Sequence, residues 1–310
     1  MIIQIENLVK RYGNQVVLDH INLEVEEGEI FGLLGPVGAG KTTVIDCLLS
    51  LLSYDKGRIR IFGVDMRPNA YDIKRNIGVI MQEIAVFKEL TVYENVAYFG
   101  SLYLRDKDMI EMYVREALQR TNLIAYASYY PRKLSEGLLQ RLNIACGIVH
   151  KPKLLIMDEP THAADPKNRK FLLEQLKKLN EEGTTILYTT HYMEEAEKIC
   201  NKIAILNKGK IIAQGTKQEL KEMISLGEKI TMEIYQITLE QLQEIRELPN
   251  VYSVEYKNNL LEIKSTKGKN NLLHIMTYLT EHNITMAKVF TELPALSDVF
   301  LEITGDEIVK

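Results

Sequence analysis

The sequence contains few cysteines. The three that occur, Cys47, Cys146 and Cys200, lie far apart, show no C-x-x-C spacing and fall in apolar stretches with a helical pattern. Cysteines in such surroundings usually behave as small buried side chains. The cysteine pattern therefore predicts neither a disulfide framework nor a zinc site.

Long apolar runs and basic blocks are also missing. No run reaches the roughly eighteen apolar residues that a membrane-spanning helix needs. Met1 to Glu6 begins directly as an alternating strand, without a basic leader. We therefore expect a soluble, cytosolic chain. The formal net charge of -4 includes no long run of Lys and Arg, which disfavours a nucleic-acid partner bound through its phosphates.

The length and the apolar content favour two domains. A chain of 310 residues with 46% hydrophobic content can bury one large core and one smaller core. Up to residue 217, apolar runs alternate with helical stretches, as in an α/β fold with a parallel sheet. The runs expected to form buried parallel strands are 78–81, 153–157, 184–189 and 203–206. Upstream of them, 2–8 and 15–25 alternate with period two, which favours an antiparallel β layer.

Residues 91–150 have a helical pattern that interrupts the alternation of strands and helices. Thr91 and Glu94 have the spacing of a capping box, and Ser135 is placed to cap a further helix. We expect an inserted helical subdomain here.

The C-terminal part of the chain changes in texture. Strand patterns occur at 229–235, 254–263 and 286–291. Helical patterns occur at 239–248 and 271–282. This order predicts a compact α+β domain of split β-α-β type at 228–310, after a linker at 218–227. Its 13 acidic and 8 basic residues disfavour a role in reading nucleic acid.

A phosphate-binding loop follows the apolar run 29–34. Residues 35–43 read GPVGAGKTT, which has the spacing G-x-x-x-x-G-K-T. Lys41 would reach the β- and γ-phosphates of a nucleotide, and the Thr42 hydroxyl would bind Mg²⁺. A glycine-rich turn with a chance lysine is the alternative, but the strand before the motif and the apolar helix after it favour nucleotide binding. The expected nucleotide contacts are Gly35, Gly38, Gly40, Lys41, Thr42 and Thr43.

Two carboxylates end a second apolar strand, in the run LLIMDEP at 154–160. Phosphoryl transfer depends on cations and on an oriented water more than on covalent chemistry. Asp158 is therefore expected in the Mg²⁺ shell and Glu159 as the residue that polarises the attacking water. A solvated strand end would be the better interpretation of a lone Asp-Glu pair, but the position downstream of a phosphate loop favours catalysis.

The order of these motifs resembles the nucleotide-binding domain of ABC transporters over about residues 1–217. The resemblance also includes Gln82 after a buried strand, LSEGLLQR at 134–141, Asp165, and His191 in the run TTHY. It implies a P-loop NTPase of ABC type, with a mixed sheet core, an antiparallel β layer and a helical subdomain, followed by the small α+β domain.

The run LPALSDVFLEITG at 293–305 narrows the resemblance. It is similar to the ending of ATP-binding subunits in the exporter branch that handles drugs, lantibiotics and sodium. Taken by its pattern alone, the run is an amphipathic helix with a core face.

Further roles follow only from the resemblance. Tyr12 matches the aromatic residue on which adenine stacks, although a plain turn tyrosine is the alternative. Gln82 matches the residue that touches Mg²⁺ and follows the membrane partner, and His191 matches the switch histidine that grips the γ-phosphate. ATP and Mg²⁺ are the implied ligands.

The resemblance also implies a second nucleotide-binding subunit. Ser135 and Gly137 match signature residues that bind the γ-phosphate held by the other copy. Asp165 matches an aspartate at the same interface. Because such ATP sites are shared, two of these domains must meet, as a homodimer or as a heterodimer.

Four positions depart from the family pattern. Val37 stands where the family usually has Asn, and Glu136 where the signature usually has its first Gly. His162 and Ala163 stand where a small or apolar residue and a Gly are usual. All four lie at the expected phosphate or dimer face, so ATP binding is a firmer expectation than fast hydrolysis.

The leading functional interpretation is the ATPase subunit of an exporter, peripheral on the inner face of the cell membrane and docked on a separately encoded permease. A regulatory module that holds nucleotide with little turnover is the alternative. A soluble ATPase acting on nucleic acid or ribosomes would be expected to show tandem ATPase domains, a long coiled-coil insertion or a basic patch. The sequence shows none of these three features.

Overall fold

The computed structural model describes residues 1–162, 164–267 and 271–305. It divides into two compact units, one over Met1–Thr216 and one from Lys217 onward. Among the helices in these described ranges, none combines the length and the apolar character that crossing a membrane requires.

Ten strands, seven α-helices and two short 3₁₀ helices build the described part of the first unit; the 3₁₀ helices are Ile124–Tyr126 and Pro131–Lys133. The strands are β1 Ile3–Tyr12, β2 Gln15–Val25, β3 Ile30–Leu34, β4 Lys56–Ile61, β5 Val64–Asp65, β6 Ile77–Ile80, β7 Leu154–Asp158, β8 Thr185–Thr190, β9 Lys202–Asn207 and β10 Lys210–Thr216. The helices are α1 Lys41–Leu48, α2 Tyr71–Lys74, α3 Val92–Ser101, α4 Lys107–Arg120, α5 Glu136–Ile148, α6 Pro166–Glu181 and α7 Met193–Ile199.

A six-stranded sheet in the order β10-β9-β3-β8-β7-β6 forms the centre of this unit. Its strands pair in parallel, except that β10 runs antiparallel to β9. β3, β7 and β8 are buried along their whole length, as is usual for apolar strands covered on both faces. The parallel strands expected from the four apolar runs are confirmed, and the carboxyl ends of these strands share one edge.

A second, antiparallel sheet has the order β2-β1-β4-β5. The period-two alternation of 2–8 and 15–25 is thereby confirmed as a β layer. Leu18 of β2, Val44 of α1 and Leu206 of β9 belong to one apolar core. Because both sheets contribute to that core, the segment between β3 and α1 is fixed by packing.

Helices α3, α4 and α5 pack on one another and form the helical subdomain. The capping box at its start is confirmed: the Thr91 backbone N–H donates to Glu94 Oε2 at 2.7 Å, and the Glu94 N–H donates to Thr91 Oγ1 at 3.2 Å. Ser135 Oγ accepts from the Leu138 N–H at 3.4 Å, so it caps α5 as expected.

The second unit contains α8 Lys217–Glu222, β11 Leu226–Ile234, α9 Leu239–Glu247, β12 Val251–Lys257, β13 Leu260–Thr266, α10 Leu272–Glu281, β14 Met286–Glu292 and α11 Leu296–Thr304. Its sheet has the order β12-β13-β11-β14, and all three pairings are antiparallel. Ile230, Met232, Ile245 and Leu279 lie in its core. The order β-α-β-β-α-β is the split β-α-β arrangement expected from the sequence.

The expectation of one strand at 254–263 is wrong. The structure has a hairpin there, β12 and β13, with Asn258 and Asn259 between them. Both asparagines have positive φ angles, 51° and 63°, which is the backbone of a tight two-residue turn and which asparagine tolerates well.

The family resemblance also implies a helical segment at 83–95, after Gln82, as the face that contacts the permease. The structure does not have this helix in full, because α3 begins only at Val92. The buried Asn95 side chain accepts from the Phe87 N–H and donates to the carbonyl oxygens of Phe87 and Leu90. These bonds satisfy backbone groups that a helix would otherwise pair, and they hold residues 83–91 as an irregular segment.

Residues 218–227, expected as a linker, contain most of α8 and the first residues of β11. The two units separate after Thr216.

Candidate functional site

The loop between β3 and α1 requires glycine at position 40. Gly40 precedes α1 with φ 108°, and a Cβ at this position would lie 2.8 Å from Leu18 Cδ2. Any side chain would therefore meet both backbone strain and a clash. The glycine lets α1 start directly at Lys41, so the free N–H groups of the helix face the loop.

Lys41 lies inside this loop and is only 5% exposed. Its Nζ donates to the carbonyl oxygens of Gly35 at 2.8 Å and Pro36 at 3.0 Å. It also lies 3.0 Å from Glu159 Oε1. All three donors of the buried ammonium are thereby matched, which a desolvated charge requires.

Asp158 at the end of β7 is held by two hydroxyl groups. Thr42 Oγ1 donates to Asp158 Oδ2 and Thr189 Oγ1 donates to Asp158 Oδ1, both at 2.6 Å. Gln82 follows β6, which pairs with β7, and its side chain is exposed near the same edge of the sheet. Mg²⁺ binds oxygen donors, usually through one or two carboxylates, so the paired Thr42 hydroxyl and Asp158 carboxylate fit that ion.

Glu159 follows β7 with a left-handed φ of 45°. Its backbone N–H donates to Thr189 Oγ1 at 3.0 Å, and its two carboxylate oxygens face different partners. Oε1 faces Lys41, and Oε2 lies 2.9 Å from His191 Nδ1. Burial alone would raise the pKa of Glu159, but Lys41 and His191 outweigh burial, so its pKa lies below the usual value. The group is therefore a carboxylate at neutral pH.

His162 joins this cluster, which the sequence did not indicate. A turn in which the His162 N–H donates to the Glu159 carbonyl oxygen at 3.1 Å brings the ring back toward the carboxylate. His162 Nδ1 lies 3.7 Å from Glu159 Oε2, and its ring centroid lies 5.7 Å from that of His191. Ala163, the neighbouring departure from the family pattern, lies outside the described residues.

Gly137 and Asp165 lie beside a different side chain, Asn168. Asn168 Nδ2 donates to Asp165 Oδ2, and Asn168 Oδ1 accepts from Arg141 Nη2. A Cβ at Gly137 would lie 2.2 Å from Asn168 Nδ2, so only glycine lets α5 approach α6 this closely. Ser135 caps the N-terminus of α5, two residues before Gly137.

The predicted site residues thus form two groups. One group contains Gly35, Lys41, Thr42, Asp158, Glu159 and His191, and the other contains Ser135, Gly137 and Asp165. Over the ranges that the structure describes, no hydrogen bond or ion pair joins the two groups.

The remaining predicted residues lie at the margins. Gly38 and Val37 form the exposed tip of the loop, where Val37 is 78% exposed. Thr43 follows Thr42 on α1 and is partly buried. Tyr12 ends β1 and is 52% exposed, and Lys10 Nζ lies over its ring at 5.1 Å from the centroid.

Glu195 is a buried residue of this region that the sequence did not single out. Its carboxylate accepts from the hydroxyl groups of Tyr188 at 2.6 Å, Thr161 at 2.8 Å and Thr190 at 3.0 Å. Burial, and after it the nearby Glu195 charge, raise the pKa of Tyr188. Arg169 Nε lies 3.1 Å from Glu195 Oε1. Glu195 lies in the run TTHYMEEAE, which also contains His191, but its burial could not be expected because a glutamate on a short helix normally faces solvent.

Comparison with known proteins identifies the family. Residues 18–162 match the family model described as ABC transporter. The linearmycin resistance ATP-binding protein LnrL of Bacillus subtilis is 36% identical over 307 residues, which cover 98% of this chain and 98% of that protein. The chain belongs to the ABC transporter family.

Other relatives of this ABC protein are export and resistance proteins. The Nod factor export ATP-binding protein I of Cupriavidus metallidurans is 34% identical and covers 99% of this chain and 98% of that one. The daunorubicin resistance ATP-binding protein DrrA3 of Streptomyces coeruleorubidus is 33% identical, with 98% and 96% covered. The resemblance to ATP-binding subunits of the exporter branch is confirmed.

Solved structures confirm the fold. An ATP-binding subunit of an ABC transporter has a TM-score of 0.66 and 28% identity, and covers 72% of this chain and 93% of that one. A dimeric bacterial ABC transporter cassette has a TM-score of 0.64 and 28% identity, with 69% and 98% covered. These cassettes match about the length of the first unit, whereas the relatives by sequence span nearly the whole ABC chain.

We predict that Glu195 stabilises the first unit. Replacing Glu195 by Ala leaves Arg169 and the Tyr188 hydroxyl without their buried partner, and should lower the free energy of unfolding by about 3 kcal/mol. Urea unfolding followed by circular dichroism measures the loss. Glu194→Ala, at an exposed position one residue earlier, is the matched control and should change stability by less than about 0.5 kcal/mol. Equal unfolding of the two variants would contradict the prediction.

Proposed function

We propose that this chain is the subunit that binds and hydrolyses ATP to energise a separately encoded membrane permease for export. The observation that carries the proposal is the arrangement of Lys41, Asp158 and Glu159 at one edge of the parallel sheet, beside the N-terminus of α1. ABC proteins of this family bind ATP or ADP, as the solved cassettes do. Membership in the family supports ATP hydrolysis as its general activity.

In the proposed reaction, Lys41 exchanges Glu159 for oxygens of the β- and γ-phosphates. Phosphate oxygens are stronger partners for an ammonium in a dry site. Once Lys41 has moved to the phosphates, Glu159 Oε1 is free to accept a proton from the attacking water, while His191 holds the other carboxylate oxygen. Mg²⁺, held by Thr42, Gln82 and Asp158, would neutralise charge on the phosphates.

The second group of residues supports a shared site. Ser135, Gly137 and Asp165 lie in the same chain but are not hydrogen-bonded to the phosphate loop. In the proposed assembly, the signature of one copy completes the ATP site of the other, so a second nucleotide-binding subunit is required. The exported substrate would be selected by the permease.

A regulatory module with little turnover is the second candidate. Glu136 favours it, because this exposed carboxylate begins α5 at the position that would face the partner's γ-phosphate. The negative charges of Glu136 and of the partner's γ-phosphate would repel each other. The N-terminus of α5 stabilises an anion only modestly and would not offset this repulsion.

Two substitutions separate binding from hydrolysis. Lys41→Ala removes a contact worth about 2–3 kcal/mol to the bound phosphates, so calorimetry should show much weaker ATP binding. Glu159→Gln keeps the shape of the side chain but removes the proton acceptor, so ATP should still bind while turnover with the permease falls at least about a hundredfold. Unchanged turnover would remove Glu159 from the mechanism, and unchanged affinity in Lys41→Ala would refute the phosphate loop.

We also predict the face that docks on the permease. The irregular segment 83–91 and the start of α3 carry exposed aromatic rings, with Phe87 42% and Tyr93 39% exposed. Phe87 packs edge-on against Tyr98 at 4.9 Å between centroids. Exposed aromatic side chains of this kind are common at protein interfaces.

Cysteine cross-linking tests this face, because the native Cys47, Cys146 and Cys200 are buried. Tyr93→Cys should cross-link to the permease. Leu273→Cys, at a position 73% exposed on α10 of the second unit, is the control and should not. Cross-links from Leu273→Cys alone would show that docking uses the other unit.

The Glu136 position gives a further prediction. Glu136→Gly should raise turnover and lengthen the ATP-driven dimer together, by up to about tenfold because salt and Mg²⁺ screen the repulsion. Glu136→Gln removes the charge without the flexibility of glycine and should give most of the same gain. ATPase rates at saturating ATP and matched salt measure the effect. Equal rates in all three proteins would mean that the carboxylate points into solvent.

A further inference from the structure

Two histidines and a carboxylate meet at the proposed catalytic edge. Glu159, His162 and His191 each offer one ligand atom, and these atoms all lie within 4.8 Å of one another. Two imidazoles with one carboxylate are a donor set that zinc uses in sites with an open position. We propose that these three residues bind Zn²⁺ or a similar transition-metal cation, and that the bound metal inhibits ATP hydrolysis.

The distances from Glu159 Oε2 to the two imidazole rings fit such an ion. Glu159 Oε2 lies 2.9 Å from His191 Nδ1 and 3.7 Å from His162 Nδ1. Tetrahedral zinc with bonds of about 2.0–2.1 Å needs its ligand atoms about 3.4 Å apart. The two distances fall on either side of that value. The metal would replace the proton that His191 Nδ1 shares with Glu159 Oε2, and the remaining imidazole proton would lie on Nε2. His162 is half exposed, so its ring can adjust without disturbing the core.

The two oxygens of Glu159 divide the roles. Oε2 faces both imidazoles, whereas Oε1 faces Lys41 at 3.0 Å. The metal can therefore bind Oε2 without replacing the lysine. The Lys41 ammonium still repels a dication, so the affinity should be lower than that of a closed site with four protein ligands.

The donor chemistry separates this site from the one proposed for Mg²⁺. Thr42 and Asp158 offer oxygen, whereas His162 and His191 offer nitrogen. Imidazole favours zinc, copper or nickel over Mg²⁺, which prefers oxygen and keeps its waters. Zinc should therefore remain bound in the presence of millimolar Mg²⁺, which is the Mg²⁺ concentration of an ordinary ATPase assay.

Inhibition is expected because the metal occupies a lone pair of the Glu159 carboxylate. A Glu159 oxygen bound to a dication is a much weaker proton acceptor, and the carboxylate is fixed in place. The inhibitory half of the proposal rests on the proposed role of Glu159 in hydrolysis. The binding half does not, because it can be measured without nucleotide.

Cobalt absorption tests binding directly. Co²⁺ is titrated into the full chain, free of any affinity tag, with millimolar Mg²⁺ present. One Co²⁺ should bind per chain, with visible bands and no thiolate-to-cobalt absorption, because the three native cysteines are buried. His162→Ala should weaken binding at least about tenfold, since even partners outside the ligand set are worth that much. His162→Cys should restore binding and add thiolate-to-cobalt absorption.

The matched control is His274→Ala, which removes an exposed imidazole of α10 and should bind Co²⁺ as the parent does. Identical titrations of the parent and His162→Ala, or loss of the signal when the Mg²⁺ concentration is raised further, would overturn the site.

Zinc inhibition is then measured against the metal-free rate of each protein. Zn²⁺ should inhibit the parent and His274→Ala at concentrations at least about tenfold lower than those that inhibit His162→Ala. Equal inhibition of all three, or stimulation of the parent, would overturn the inhibitory role. A parent without any turnover would instead refute the proposed ATPase function, while the cobalt titration would still decide the metal site.

Discussion

The chemistry of the first unit depends on the parallel register of β3, β8 and β7. Leu34 lies opposite Thr190, and Asp158 lies opposite Thr189. Each of these strands is hydrogen-bonded on both sides and buried on both faces, so none can slide without breaking its neighbours' pairing. Because parallel strands end at one edge, residues from three distant parts of the chain meet there.

The charges at that edge are matched within the protein itself. Lys41 and Glu159 are both nearly buried, and a lone charge of either sign would be costly in such a place. Two carbonyl oxygens and His191 complete their hydrogen bonds. The buried charge of Glu195 is also matched within the protein, because hydroxyl groups from β8 and from the turn after β7 donate to its carboxylate. The segments that follow β7 and β8 are thus connected twice, once between Glu159 and His191 and once through Glu195.

Much of the fold could be predicted from the sequence, because each buried parallel strand is an uninterrupted apolar run and each motif has a fixed spacing. The loop before Lys41, the carboxylates Asp158 and Glu159 and the capping box at Thr91 follow from local pattern alone. The hairpin at Asn258 was missed because both of its strands share one alternating pattern.

Residues whose role depends on distant partners were beyond local pattern. Asn95 holds the segment 83–91 through backbone groups, and Glu195 is buried only because four polar side chains surround it. His162 reaches Glu159 through the geometry of one turn. The sequence marked it as an unusual residue without indicating what it would contact.

Asn168 links the signature run at 134–141 to Asp165. Its amide is bonded on one side to Asp165 and on the other to Arg141 of α5, and the absence of a side chain at Gly137 brings α5 against it. The signature run at 134–141 and Asp165 are therefore linked through one amide side chain, and losing that amide would remove both hydrogen bonds at once.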